Sequence, residues 1–259
     1  MNNVVSLRRA PKVPEPEQVS AVVVAGSGGA ATTTTAFGLA TALRLGTGRE
    51  VSAVDATSDG GNLLSRTGFE AVDASRSIRQ FAAYMALTSA GVVVVGNGGG
   101  QPSDPAIVDE LLAARHSARI HDVGTALRSP RLAPLLRSGA ALVVVAPARS
   151  EPLSRMRDAL TWVMATYGAD VLGRTIVVVS HQMPDAPVDL GPIRSALTPR
   201  IAGFVEVPFD AALAQPGVLD HRRLAPATLD AWTDALDVLG GLLVRGAPSA
   251  SGESSSELA

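Results

Sequence analysis

Ala21-Val-Val-Val-Ala-Gly26-Ser-Gly28-Gly29-Ala-Ala-Thr-Thr33-Thr-Thr-Ala-Phe37-Gly-Leu-Ala-Thr-Ala-Leu43 runs from an apolar stretch through a glycine-rich turn into a segment of helical periodicity. The valines predict a strand buried on both faces, as in a parallel sheet covered by helices. Phe37, Leu39, Ala40 and Leu43 then recur at helical spacing, so a helix begins near Thr33. Glycines between the two let the backbone turn sharply and approach a ligand. Free N–H groups and the helix dipole favour an anion there.

Working away from this segment, the same alternation repeats. Apolar runs at Ala21–Ala25, Val51–Asp55, Gly91–Val95, Ala118–Val123, Ala141–Ala146, Thr175–Ser180 and Phe204–Val207 predict strands. Helices are expected over Thr33–Leu45, Ser103–His116, Glu151–Tyr167, Leu190–Pro199 and Pro226–Val244. This order predicts an α/β fold, a doubly wound, mostly parallel sheet flanked by helices. Ligands in such sheets sit at the strand C-terminal edge, which directs attention to the loops after Ala25, Asp55, Val123, Ala146 and Ser180. Residues 1–18, with Arg8, Arg9, Lys12 and three prolines, read as a flexible arm. Residues 19–245 read as the folded domain and 246–259, rich in Ser, Gly and Glu, as a disordered tail.

Composition removes several chemistries. The chain has 259 residues, 24 acidic and 22 basic, and of the basic ones only Lys12 is a lysine. A Schiff-base lysine, a Tyr-x-x-x-Lys pair and a P-loop lysine inside the fold are therefore excluded. Cysteine is absent, which excludes disulfides, a thiolate nucleophile and Cys-based zinc sites. His116, His121, His181 and His221 show no metal-ligand spacing and read as structural or surface residues. A net charge of -2 leaves no footprint for nonspecific nucleic-acid binding. No apolar run approaches the roughly 20 residues of a membrane span, and no signal peptide is evident, so a cytoplasmic location is expected.

Two anion-binding designs share the glycine-loop layout. Gly26, Gly28 and Ala31 satisfy Gly-x-Gly-x-x-Gly/Ala, with Asp55 ending the next strand as a ribose ligand, the pattern of a Rossmann-type dinucleotide-binding oxidoreductase. The P-loop is met in shape but lacks its lysine. Residues beyond the loop resemble the MinD/ParA family of P-loop ATPases, whose altered Walker A motif reads Lys-Gly-Gly-x-Gly-Lys-Thr-Thr. Anchoring on Thr33-Thr34-Thr35 puts Gly28 and Gly29 on the paired glycines and Thr33 on the magnesium-binding threonine. Ser27 and Thr32 then occupy the two lysine positions, and Ala31 replaces the third glycine.

The resemblance covers roughly residues 20–240. Asp55, Asp59 and Asn62 lie in a segment resembling the one after the family's second strand, but Thr57 replaces the aspartate expected to orient the attacking water. Asp122, ending Ile120-His-Asp, resembles Walker B. Val207-Pro208-Phe209-Asp210 resembles the loop that closes over the base, and the adenine-holding asparagine near Ser180 or His181 is missing. The resemblance implies phosphate binding by Gly28, Gly29, Ala30, Ala31, Thr32, Thr33 and Thr34. It implies contacts from Asp55, Asp122, Pro208 and Asp210, with Thr33, Asp55 and Asp122 holding Mg²⁺ if ATP binds.

Loss of both lysines and of the water-orienting carboxylate implies little or no hydrolysis, because a missing cation of this kind costs on the order of 100–1000-fold in rate. No catalytic residue is assigned. The expected function is a MinD/ParA-like pseudo-ATPase, a protein-interaction or regulatory module for a secretion, pilus, partition or positioning system. Its ligand is ATP-Mg or none. A nucleotide-binding ATPase with a non-standard P-loop and the dinucleotide oxidoreductase are alternatives. The resemblance implies protein partners and a homodimer; nothing indicates nucleic acid, and the tail holds no basic amphipathic membrane helix. Arg128, Arg149 and Arg155 fall near the loops after the fourth and fifth strands, where an arginine could replace the missing lysine or simply be solvated. Trp162 and Trp232 read as packing residues. Asp104, Asp109 and Glu110 read as serving a helix N-terminus and its solvated face. Gly96-Asn-Gly-Gly-Gly100 reads as a turn.

Overall fold

The computed structural model describes residues 19–57, 63–72, 84–96, 104–185 and 188–246. The N-terminal arm, Asp59, Asn62, residues 97–100 and the tail beyond 246 lie outside the described residues. Among the described residues nine strands form one sheet: β1 (Ser20–Ala25), β2 (Val51–Asp55), β3 (Glu70–Val72), β4 (Tyr84–Leu87), β5 (Val93–Gly96), β6 (Ala118–Asp122), β7 (Ala141–Pro147), β8 (Thr175–Ser180) and β9 (Gly203–Val207). Their order is β3-β4-β5-β2-β6-β1-β7-β8-β9. From β5 to β9 in this order every pairing is parallel; at the other edge β4 runs antiparallel to both of its neighbours, β3 and β5. The mostly parallel, doubly wound sheet agrees with the sequence, and each of the seven expected strands is present.

The helices are α1 (Thr32–Thr47), α2 (Leu63–Thr67), α3 (Pro105–Ala113), α4 (Ala133–Arg137), α5 (Ser150–Gly173), α6 (Gly191–Leu197), α7 (Ala211–Ala214) and α8 (Pro226–Gly246). The short α2, α4 and α7 have too few turns to give a periodic signal. Helix α5 runs past the expected Tyr167 and breaks its helical geometry at Gly168, with φ 81°. Asp104 caps α3, accepting from the Ala106 N–H at 2.9 Å, and Pro105 follows in the first turn.

Alternation along the valine runs divides the core into two layers. Val23, Val143, Val145, Ile176 and Val178 face α1 and α8, whereas Val22, Val24, Val144, Val177 and Val179 face the opposite side, toward α3 and α5. On the first side Phe37 and Trp232 meet edge to face, centroids 6.4 Å apart. A Cβ on Gly38 would lie 2.1 Å from the Trp232 ring. Glycine there is required by the close approach of α1 and α8. Gly38→Ala is expected to destabilise the fold by about 1–3 kcal/mol through overpacking, read as a lower urea midpoint with an unchanged m-value.

On the other side Asp109 departs from its expected place on a solvated helix face. It is buried beneath α3, where it accepts from Ser20 Oγ at 2.7 Å, contacts His121 Nε2 at 2.8 Å and pairs with Arg119 Nε at 3.2 Å. Arg119 and His121 are two residues apart on β6 and share a face, which brings both to the one carboxylate. Burial alone would raise the Asp109 pKa, but its hydrogen bonds and the charges of His121 and Arg119 hold it well below the carboxylate range.

Candidate functional site

Insertion of β6 between β1 and β2 builds the site. Asp122 ends β6 in register with Asp55 at the end of β2, so two carboxylates lie side by side at the strand C-terminal edge. Above them the chain leaves β1 through Gly26 and enters α1. Gly29 adopts φ 70° and Ala31, the residue preceding the helix, adopts φ 69°. Ala31 thus holds the left-handed conformation that glycine supplies at no steric penalty. Ala31→Gly is expected to relieve that strain and raise stability by up to about 1 kcal/mol, after allowing for the greater freedom of glycine in the unfolded chain. Thermal melts of the two proteins test this.

The loop is fixed from below. Gly124 accepts from the Ala25 N–H at 2.9 Å, and the Ala31 carbonyl receives the Thr35 N–H at 2.9 Å, which starts the helix. Thr33 Oγ1 donates to Asp122 Oδ2 at 2.6 Å, and the Gly124 N–H donates to Oδ1 at 3.1 Å. Asp122 is fully buried. Burial pushes its pKa up to about 6, Asp55 adds to the shift, and the Thr33 and Gly124 hydrogen bonds oppose it. Thr57, where the resemblance expects a second aspartate, donates its N–H and hydroxyl to Asp55 Oδ1 at 3.2 and 2.7 Å.

A cleft of about 640 Å³ opens over this arrangement. Residues 27–34 form one wall, with Thr57, Gly124 and Thr125 at the carboxylate end. Ser180, His181, Gln182, Phe209, Asp210, Leu213 and Ala214 form the far side. Four of the five loops singled out by the strand-end rule therefore meet in one place; the fifth, after β7, sets Arg149 alongside. Thr33, Asp55 and Asp122 come together beneath the loop. Pro208 is not among the cleft-lining residues, and its neighbour Phe209 takes that place. Asp210 lines the cleft, yet its carboxylate receives the N–H groups of Ala212 and Ala225 and the Thr228 hydroxyl at 2.8–2.9 Å. It organises the loop after β9.

Three contacts to the cleft were not anticipated. Gln182 Nε2 donates to the Gly29 carbonyl at 2.6 Å, tying the loop after β8 to the glycine loop. Arg66 lines the cleft and donates to the carbonyls of Leu213, Gln215 and Gly217. Thr125 follows Asp122 on the loop after β6. The only available signal for Gln182 and Thr125 was their position just past a strand end. Of the three arginines considered as lysine substitutes, Arg128 stacks over the Trp162 ring at 5.8 Å, whereas Arg149 and Arg155 border Ser27 and Gly28. Trp232 is buried packing, as expected, and Trp162 packs edge to face on Tyr167.

The residues present fit a magnesium nucleotide on one side. A buried carboxylate of raised pKa, held against a threonine hydroxyl at a helix N-terminus, suits a divalent cation whose remaining ligands are water and phosphate oxygens. Among the described residues no three His, Asp or Glu cluster as a self-sufficient metal site.

Sheet order separates the two designs left open by the sequence. The dinucleotide fold pairs β1 with β2, in the order 3-2-1-4-5-6. Here β6 intervenes, so the sheet is not that of the Rossmann-type dinucleotide-binding fold. No family model matches the sequence, and no curated protein matches it. Solved structures do. MinD of Pyrococcus furiosus superposes with a TM-score of 0.63 at 18% identity, over 85% of this chain and 98% of that one. A ParA family ATPase from Chlorobium tepidum gives 0.60 at 14% identity, over 88% and 97%. MinD complexed with Mg-ADP from Pyrococcus horikoshii gives 0.55 at 16%, over 86% and 96%.

The fold is that of the MinD/ParA proteins. At these identities the likeness concerns architecture, and the chemistry of this MinD/ParA fold follows from its own residues. Among the described residues no helix is long and apolar enough to cross a membrane.

Proposed function

We propose that this chain is a cytoplasmic pseudo-ATPase that binds ATP-Mg with little or no turnover and uses the bound state to present a surface to a protein partner. The observation that carries the reading is the 2.6 Å Thr33–Asp122 hydrogen bond beneath a glycine loop that keeps its left-handed turns despite lacking a lysine. Thr33, Asp122 and Asp55 would hold the Mg²⁺, and the loop N–H groups from Ala30 to Thr34 would hold the phosphates. When bound, the metal would neutralise phosphate charge. Its likeness to MinD complexed with Mg-ADP supports the choice of ligand.

What the site lacks supports the absence of turnover. No lysine lies in the described residues, and Thr32 offers only a hydroxyl dipole where a positive charge would stabilise the transferring phosphoryl group. Thr57 donates to Asp55 and carries no carboxylate with which to orient water. A partner in a secretion, pilus, partition or positioning system, and a homodimer, follow from the family likeness. Isothermal titration with ATP-Mg is expected to show one saturable site per chain that weakens when Mg²⁺ is chelated. Absence of heat and of any thermal shift would leave an interaction module without nucleotide.

A further inference from the structure

A second cavity, of about 370 Å³, adjoins the cleft on the outer side of the glycine loop. Ser27 and Gly28 line both cavities; Arg149, Glu151, Pro152 and Arg155 complete the second. The arginines are placed firmly at the backbone. Arg149 directly precedes α5, and a Cβ added at Gly26 would come within 3.0 Å of the Arg155 carbonyl oxygen, so the loop abuts the start of α5. Their guanidinium groups are held less firmly. Arg155 Nη2 contacts Glu151 Oε1 at 2.6 Å, but the two side chains are 55% and 74% exposed. Arg149 Nη2 donates to Gln182 Oε1 at 3.4 Å, also at the surface. Two cations and one carboxylate leave the groove with a net positive charge.

Inside the cleft the balance differs. Arg66 is engaged with three backbone carbonyls, and His181 Nε2 lies 3.1 Å from Glu206. Among the described residues, Arg149 and Arg155 are cations that border Gly28, and their partners Gln182 and Glu151 are solvent-exposed. We propose that Arg149 and Arg155 reach over Ser27 and Gly28 to bind the terminal phosphate of a nucleoside triphosphate in the cleft. They supply, from the same chain, charge that the loop lacks. The planar guanidinium offers paired N–H donors matched to phosphate oxygens, and exchange from exposed partners to a phosphate carries a small penalty. The inference rests on nucleotide binding as proposed above and adds discrimination between triphosphate and diphosphate.

The test is isothermal titration of the full chain with ATP-Mg and ADP-Mg, for the wild type, Arg149→Ala/Arg155→Ala, Glu151→Gln and Arg128→Ala. The double variant is expected to lose ATP affinity by about 10–100-fold while ADP affinity changes less than about twofold. Glu151→Gln frees Arg155 and is expected to tighten ATP by a few-fold, and Arg128→Ala changes neither nucleotide. Unchanged ATP affinity in the double variant, or equal loss of ATP and ADP, overturns the role of the arginines while leaving nucleotide binding intact. A wild type that binds neither nucleotide overturns both readings together. ADP affinity reports that each variant is folded at the loop.

Discussion

Asp122→Asn is expected to make the nucleotide-free protein more stable at pH 7.5, by about 2 kcal/mol, and to remove the Mg²⁺ dependence of ATP binding. Burial first, and Asp55 second, raise the Asp122 pKa from 3.8 to about 6. A carboxyl group raised on folding destabilises the native state wherever it must ionise. The penalty is complete above about pH 6, where the shift corresponds to about 3 kcal/mol, and disappears as pH falls toward the unfolded value. Asparagine keeps an acceptor for Thr33 or Gly124 without the charge, and imperfect replacement of both hydrogen bonds reduces the gain. Unfolding by urea at pH 7.5 and pH 5 tests this. The variant should lead at pH 7.5, the gap should narrow at pH 5, and ATP-Mg should stabilise the wild type more. Asp109 acts oppositely: its depressed pKa adds stability that is lost as pH falls below the carboxylate range.

Thr32→Lys is expected to tighten ATP binding by at least about tenfold, because it places a cation at the start of α1 in a cleft lined by backbone donors. Alone it is expected to leave hydrolysis near background, since Thr57 still donates to Asp55. Thr32→Lys/Thr57→Asp is expected to raise turnover by about 100-fold or more over the wild type, the scale on which positioned charge acts in phosphoryl transfer. Steady-state phosphate release measures both. If the double variant stays silent while binding ATP, the defect lies elsewhere in the cleft; Arg66, bonded to the carbonyls at the end of α7 and just beyond it, is then the first residue to examine.

The central strands were legible because each is buried on both faces and so reads as a continuous run of valine and isoleucine. Strands β3 and β4 were not. Glu70, Ala71 and Val72 are all exposed, and an edge pair of three and four residues gives neither a run nor a clear alternation. Asp109 was misplaced because a helix-face argument sees only α3, whereas its partners Arg119 and His121 lie on β6. Polar residues at alternate positions of an otherwise apolar strand were the available signal.

In the site, Thr33 and Asp122 were found because each sits at a fixed offset from an apolar run. Whether Arg149 and Arg155 reached the loop depended on β7 lying beside β1, a fact of topology more than a hundred residues away in sequence. Asp210 fell in the right loop, but its capping of Ala212 and Ala225 depends on the meeting of two segments that sequence order does not reveal.

Retention of intact ATP is the most direct measurement. The 259-residue chain is incubated with ATP-Mg, separated from free nucleotide after a time sufficient for many turnovers of an active ATPase, and its bound nucleotide resolved chromatographically. Binding without turnover predicts near-stoichiometric ATP with little ADP, and loss of retention in Asp122→Asn. Bound ADP with released phosphate, abolished by Thr32→Val or Asp122→Asn, would contradict it and establish a working ATPase with a lysine-free loop.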